Sequence, residues 1–269
     1  MSVSLAFEKA RADDRAALVG YLPAGFPDVE GGIEAIRTLV DAGCDVIEVG
    51  LPYSDPVMDG PTIQAAAQRA LQGGVRIRDV LHTVEAVAST GTPTVVMTYW
   101  NPVARYGVAR FAADLAAAGG AGLITPDLTP DSGGAWVAAA DEHDLDKIFL
   151  VAPSSTDERI AMTTAACRGF VYATAVMGVT GARASTSDLA GPLVERARAA
   201  VVEQGTGLPV AVGVGVSNGD QAAEVASYAD GVIVGSAFVR CLLDTDDRAE
   251  GLAALRSLTE DLAAGVRRG

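Results

Sequence analysis

Short runs of Val, Ile, Leu and Ala recur along the whole chain, and each is followed by a longer, Ala-rich stretch whose apolar positions have helical spacing. The runs fall at Ala17–Tyr21, Val46–Leu51, Thr94–Thr98, Gly122–Thr125, Ile148–Val151, Phe170–Thr174, Val210–Val214 and Gly231–Val234. They are near-continuous rather than alternating, as parallel strands covered on both faces should be. The helical stretches lie at about 32–42, 62–71 with 77–88, 109–118, 132–142, 157–166, 188–203, 219–228 and 236–243, and a last amphipathic run spans 249–266. Eight strand–helix pairs are the count of a (β/α)8 barrel, the α/β class also called a TIM barrel, here with extra helices at the N-terminus and the C-terminus. Glycines after Ala42, Ala118 and Arg168 mark helix ends, and Asp157, Ser187-Asp188 and Ser217-Asn218 are expected N-caps. No linker or shift in composition interrupts the pattern, so residues 1–269 are expected to form one domain. A doubly wound open sheet is the structural rival, but no GxGxxG follows the first strand.

One stretch departs from a purely structural pattern. In Val46-Ile47-Glu48-Val49, alternation puts Val46, Glu48 and Gly50 on one face and Ile47, Val49 and Leu51 on the other. A glutamate inside an apolar strand is costly to bury unless something pairs or uses it. A second carboxylate, Asp59, lies on the Pro/Ser/Asp/Gly-rich loop that leaves the same strand. In a barrel the loops after the strand C-termini form the active face, so both acids are placed on it.

Composition narrows the chemistry. With 20 basic and 34 acidic residues the net charge is −14, which disfavours nucleic acid and anionic membranes as partners. The three cysteines, Cys44, Cys167 and Cys241, are dispersed, so a disulfide framework is not expected and a reducing, cytoplasmic home is. His82 and His143 are the only histidines and form no metal-binding pattern, so no metal is expected. The stretch from Ala86 to Ala104 carries no charge but is broken by Ser, Thr, Gly, Pro and Asn, and it does not read as a membrane span.

An anionic substrate would have to be held by backbone amides. The last two strands supply them: the seventh runs into Gly213-Val214-Gly215-Val216-Ser217, and the eighth into Gly235-Ser236, directly opening a helix. Glycines allow close approach of N–H groups and a helix start adds a favourable dipole, so the pair reads as a phosphate site. The loop from Met177 to Thr186, with Gly178, Gly181 and Arg183, is expected to act as a mobile lid. Two acids and a phosphate clamp on one face suggest acid–base work on a phosphorylated small molecule.

The segment Pro52-Tyr53-Ser54-Asp55-Pro56-Val57-Met58-Asp59-Gly60-Pro61-Thr62-Ile63-Gln64 resembles the signature of the tryptophan synthase alpha subunit family. Gly20–Gly25, Met97–Pro102, Pro126–Leu128, Gly178–Arg183 and Gly235-Ser236 follow in family order, so the resemblance covers essentially the whole chain. It implies a (β/α)8 barrel that cleaves indole-3-glycerol phosphate to indole and glyceraldehyde 3-phosphate, a retro-aldol reaction in tryptophan biosynthesis. It implies that Glu48 is the general acid/base and that Asp59 holds the indole N–H. By the same match Gly181, Gly215, Gly235 and Ser236 resemble the phosphate clamp, and Tyr21, Tyr172, Thr180 and Ile233 the surroundings of the indole. Pro52, Asp55, Asp127 and Asp131 correspond to the surface that meets a beta subunit, in an alpha2beta2 heterotetramer. The resemblance implies no cofactor in this chain; pyridoxal phosphate is expected in the beta subunit. Ala175, Val214 and Trp100 depart from the family pattern around the pocket. The rival expectations are another phosphate-binding barrel, such as a sugar-phosphate isomerase or epimerase, and a non-catalytic regulatory partner.

Overall fold

The structure, a computed structural model, describes residues 2–174 and 186–269, with 186–189 by their backbone alone. In chain order the elements are α1 (Ser4–Ala12), β1 (Ala17–Pro23), α2 (Val29–Ala42), β2 (Val46–Gly50), α3 (Pro61–Gln72), α4 (Ile77–Ala88), β3 (Thr94–Met97), α5 (Trp100–Tyr106), α6 (Val108–Ala117) and β4 (Gly122–Thr125). They continue as α7 (Gly134–Glu142), β5 (Asp146–Val151), α8 (Asp157–Ala166), β6 (Val171–Thr174), α9 (Thr186–Gln204), β7 (Val210–Gly213), α10 (Gly219–Ala226), β8 (Gly231–Val234), α11 (Ser236–Leu243) and α12 (Arg248–Gly265). The strands form a closed barrel in sequence order, β1 pairing with β8, and every pairing is parallel. The expected (β/α)8 architecture is borne out, with α1 and α12 as the added terminal helices.

The register explains two separate cores. Tyr21 pairs with Glu48, Glu48 with Val95, and Ile233 with Val19, so these side chains share the inward face. The interior is filled by Val19, Val46, Val95, Ile124, Ile148, Phe170, Ala211 and Ile233, while the outward residues pack against the helices in a second, larger cluster. At the N-terminal end, α1 inserts Phe7 into the interior cluster, against the Phe170 ring at 5.3 Å between centroids. Fully burying such a ring contributes about 2–3 kcal/mol. The chain ahead of α1 is fixed by Asp146, whose carboxylate accepts from the Val3 N–H at 2.8 Å, the Ser2 hydroxyl at 2.9 Å and Arg168 Nε at 2.9 Å. The bottom of the barrel is thereby closed.

Several boundaries differ from the sequence expectation for local reasons. β1 runs two residues further, because Leu22 and Pro23 still pair with Val49 and Gly50. Pro23 ends it, having no N–H to continue. Thr156, not Asp157, caps α8: its hydroxyl accepts from the Arg159 N–H, and Asp157 is the first helical residue. α9 begins at Thr186, so Ser187 and Asp188 lie inside its first turn rather than ahead of it. Asn218 caps α10 as expected. The short α5 has no counterpart in the expectation, since seven residues with Pro102 inside give no helical period.

Candidate active site

Glu48 lies on the inward face of β2, 1 % exposed, flanked in register by Tyr21 and Val95. Among the described residues no donor reaches either of its carboxylate oxygens. Burial without a partner disfavours the charged form, and it pushes the Glu48 carboxyl up to about 8. Near neutral pH this shift favours the protonated form while leaving the proton within reach of loss.

Asp59 is positioned differently. The loop after β2 folds back over the barrel mouth and meets the segment after β3. Tyr99 donates its hydroxyl hydrogen to Asp59 Oδ1 at 3.0 Å and accepts from the Met58 N–H at 2.9 Å. Partial burial raises the Asp59 carboxyl, and the Tyr99 hydrogen bond works against that rise. The Asp59 carbonyl accepts from the Gln64 amide at 2.7 Å, joining the loop to the first turn of α3. Tyr53 lies beside Tyr99, with ring centroids 5.4 Å apart, and its hydroxyl accepts from the Asn101 amide.

Tyr21 lies near both acids. Its phenol is held neutral well above the usual range by burial first, then by the nearby charges of Asp59 and Glu48. Tyr172, across the interior, is raised by burial and then by Glu48. Both rings lean over glycines: a Cβ on Gly50 would run into Tyr21, and one on Gly213 into Tyr172. Glycine at these two positions is thus what lets two tyrosines lie across the barrel mouth.

On the far side, Gly213 pairs with Ile233, which sets the loops after β7 and β8 side by side. Gly215 has φ +76 and, among the described residues, no atom near where a Cβ would stand. Gly235 caps α11 without any side-chain hydrogen bond, and Ser236 is its first residue. Ile233 is buried in the interior beneath them, Val214 is buried, and Trp100 is half-buried. Thr180, Gly181, Arg183 and Ala175 lie outside the described residues, as does nearly all of the expected lid. Of the expected docking residues, Asp55, Asp127 and Asp131 are exposed and Pro52 is buried. Asp127 also caps α5, accepting from the Trp100 N–H at 2.8 Å, and Asp131 sits 3.3 Å from Arg159. Sequence reasoning gave no role to Tyr99. Its signal was available: an aromatic residue directly after a strand, on the loop face of a barrel.

Cys44 is buried, Cys167 and Cys241 are partly so, and all three are free thiols. Among the described residues no cluster of three or more His, Cys, Asp or Glu side chains could hold a metal ion, and no helix is long and apolar enough to cross a membrane.

A closed parallel barrel with two unequal carboxylates and a tyrosine pair at its C-terminal mouth places the chain in the (β/α)8-barrel class, with its candidate site where such barrels carry their chemistry. Residues 7–267 match the family described as Tryptophan synthase alpha chain. The chain is 62% identical to the tryptophan synthase alpha chain of Acidothermus cellulolyticus over 99% of its own length and 97% of the relative's. It is 61% identical to that of Mycobacterium marinum, over 97% and 93%. Among solved structures it resembles tryptophan synthase of Mycobacterium tuberculosis with a TM-score of 0.90 at 58% identity, covering 99% of this chain and 98% of that one. The tryptophan synthase a2b2 complex of Pyrococcus furiosus matches with a TM-score of 0.84 at 35% identity, over 92% and 98%. This chain belongs to the tryptophan synthase alpha chain family.

Proposed function

We propose that the chain, as a single barrel domain over residues 1–269, is the lyase subunit that splits indole-3-glycerol phosphate into indole and glyceraldehyde 3-phosphate. The observation that carries this reading is the contrast between the acids: Glu48 is buried, has no donor among the described residues and is pushed up to about 8, while Asp59 is held by a hydrogen bond at the rim. The reaction asks for both. Breaking the bond between indole C3 and the glycerol chain requires a proton at C3, which Glu48 delivers. Positive charge then develops at the ring nitrogen, and Asp59, as carboxylate, accepts the N–H hydrogen bond and stabilises that charge in the transition state. As the carbon–carbon bond breaks, its electrons return to the ring. The hydroxyl on the departing carbon gives its proton back to Glu48 and becomes the aldehyde. Glu48 thus starts and ends protonated, which suits a carboxyl raised to about 8.

Tyr21, Tyr172, Ile233 and Thr180 would enclose the indole. Backbone N–H groups at Gly181, Gly215, Gly235 and Ser236 would hold the phosphate, consistent with the uncapped start of α11. The scheme calls for no cofactor in this chain. Asp55, Asp127 and Asp131 would face a beta subunit in an alpha2beta2 assembly, with Pro52 packed inward on the same loop as Asp55, and pyridoxal phosphate would belong to that partner. An aromatic-lined mouth favours this substrate over a plain sugar phosphate. The test is indole release from indole-3-glycerol phosphate by the purified chain, alone and with a beta subunit. Indole should form in both, faster in the complex. A chain that forms none in either, though folded, contradicts the proposal.

A further inference from the structure

Tyr99 is placed in a way that neither acid alone requires. Its ring is buried, 5 % exposed, and supported by Tyr53. Its backbone is the N-cap of α5, whose first N–H is held from another loop by Asp127. The hydroxyl is fixed from both sides: it accepts from the Met58 N–H and donates to Asp59 Oδ1. A hydroxyl has one hydrogen to give, and the Met58 contact leaves that hydrogen directed at Asp59. Among the described residues no donor reaches Asp59 Oδ2, so one oxygen is occupied and the other is left over.

We propose that Tyr99 is a positioning residue for the lyase reaction, locking Asp59 by one carboxylate oxygen so that the other faces the substrate's ring N–H. This rests on the role given to Asp59 above. The consequence is geometric: Tyr99 is the one side-chain donor to the Asp59 carboxylate among the described residues, and an acceptor misplaced by about 1 Å costs on the order of 100-fold in rate. The bond is also electrostatic, since a donor to a carboxylate favours its charged form. Asp59 must be charged to stabilise the cation. Losing the donor therefore moves the acidic limb of the rate profile to higher pH.

The test is a set of three variants in the chain with its beta subunit, Tyr99→Phe, Asp59→Asn and the double variant, followed by indole release from pH 5 to 9. Tyr99→Phe should lower kcat about 10-fold with KM changed less, and shift the acidic limb to higher pH. In the Asp59→Asn background the same change should cost little more, because the pair acts as a unit. A pH-independent loss that adds fully to that of Asp59→Asn would overturn the proposal and make Tyr99 a packing residue. If Asp59→Asn itself keeps full activity, it is the role of Asp59 that fails. Circular dichroism of Tyr99→Phe, which keeps the ring, separates either result from misfolding.

Discussion

Two carboxylates are buried in the same barrel at opposite ends, and they have been treated in opposite ways. Asp146, at the bottom, is 0 % exposed and accepts from a backbone N–H, a hydroxyl and a guanidinium. Glu48, toward the top, is 1 % exposed and has no donor among the described residues. A buried charge that is fully hydrogen-bonded ties distant segments together; here it fixes residues 2 and 3 to β5 and Arg168. A buried carboxyl left without donors costs stability, which points to a chemical use for it. The difference separates the half of the barrel that holds the molecule together from the half that carries the proposed chemistry.

The comparison can be broken first by exchanging activity for stability. Glu48→Gln should abolish indole release, a loss of at least about 1,000-fold in kcat, with an unchanged circular dichroism spectrum. Near-normal turnover would remove Glu48 from the chemistry. Asp146→Ala should do the reverse. It strands the Val3 N–H and Arg168, costing about 3 kcal/mol in urea unfolding, while kcat per folded molecule stays within about twofold. The smallest effect sharpens the contrast through pH. Between the ordinary glutamate value and about 8, the folded protein keeps a proton on Glu48 that the unfolded chain has lost. Wild-type stability therefore falls as pH rises through that window and levels off above it. Between pH 5.5 and 8.5 the wild type should lose about 2–3 kcal/mol more than Glu48→Gln. Parallel curves would mean that Glu48 is solvated or paired.

Much of the reactive half is legible in the sequence, because it is local. The alternation in Val46–Gly50 puts Glu48 on one face with Val46 and Gly50, which the structure places inside, and the barrel follows from apolar runs that repeat with helical stretches between them. What is not legible is long-range. The Tyr99–Asp59 hydrogen bond joins the loops after β2 and β3, and Asp127 caps a helix on a neighbouring unit; neither has a periodic trace. Pro52 looks like a surface residue beside Asp55, but the loop packs it inward. Phe7 sits in a short helix of mixed composition, where nothing local says that it plugs the barrel. Asp146 reads as an ordinary acid at a strand start until Ser2, Val3 and Arg168 are brought to it.

The claim on which all of this turns is that Glu48 holds its proton at neutral pH. It is tested by following the side-chain carboxyl carbon of Glu48 by 13C NMR in glutamate-labelled protein, identified by its absence from Glu48→Gln. The account predicts a single titration with its midpoint near 8. A midpoint below about 5, in the range of a solvated glutamate, would contradict it.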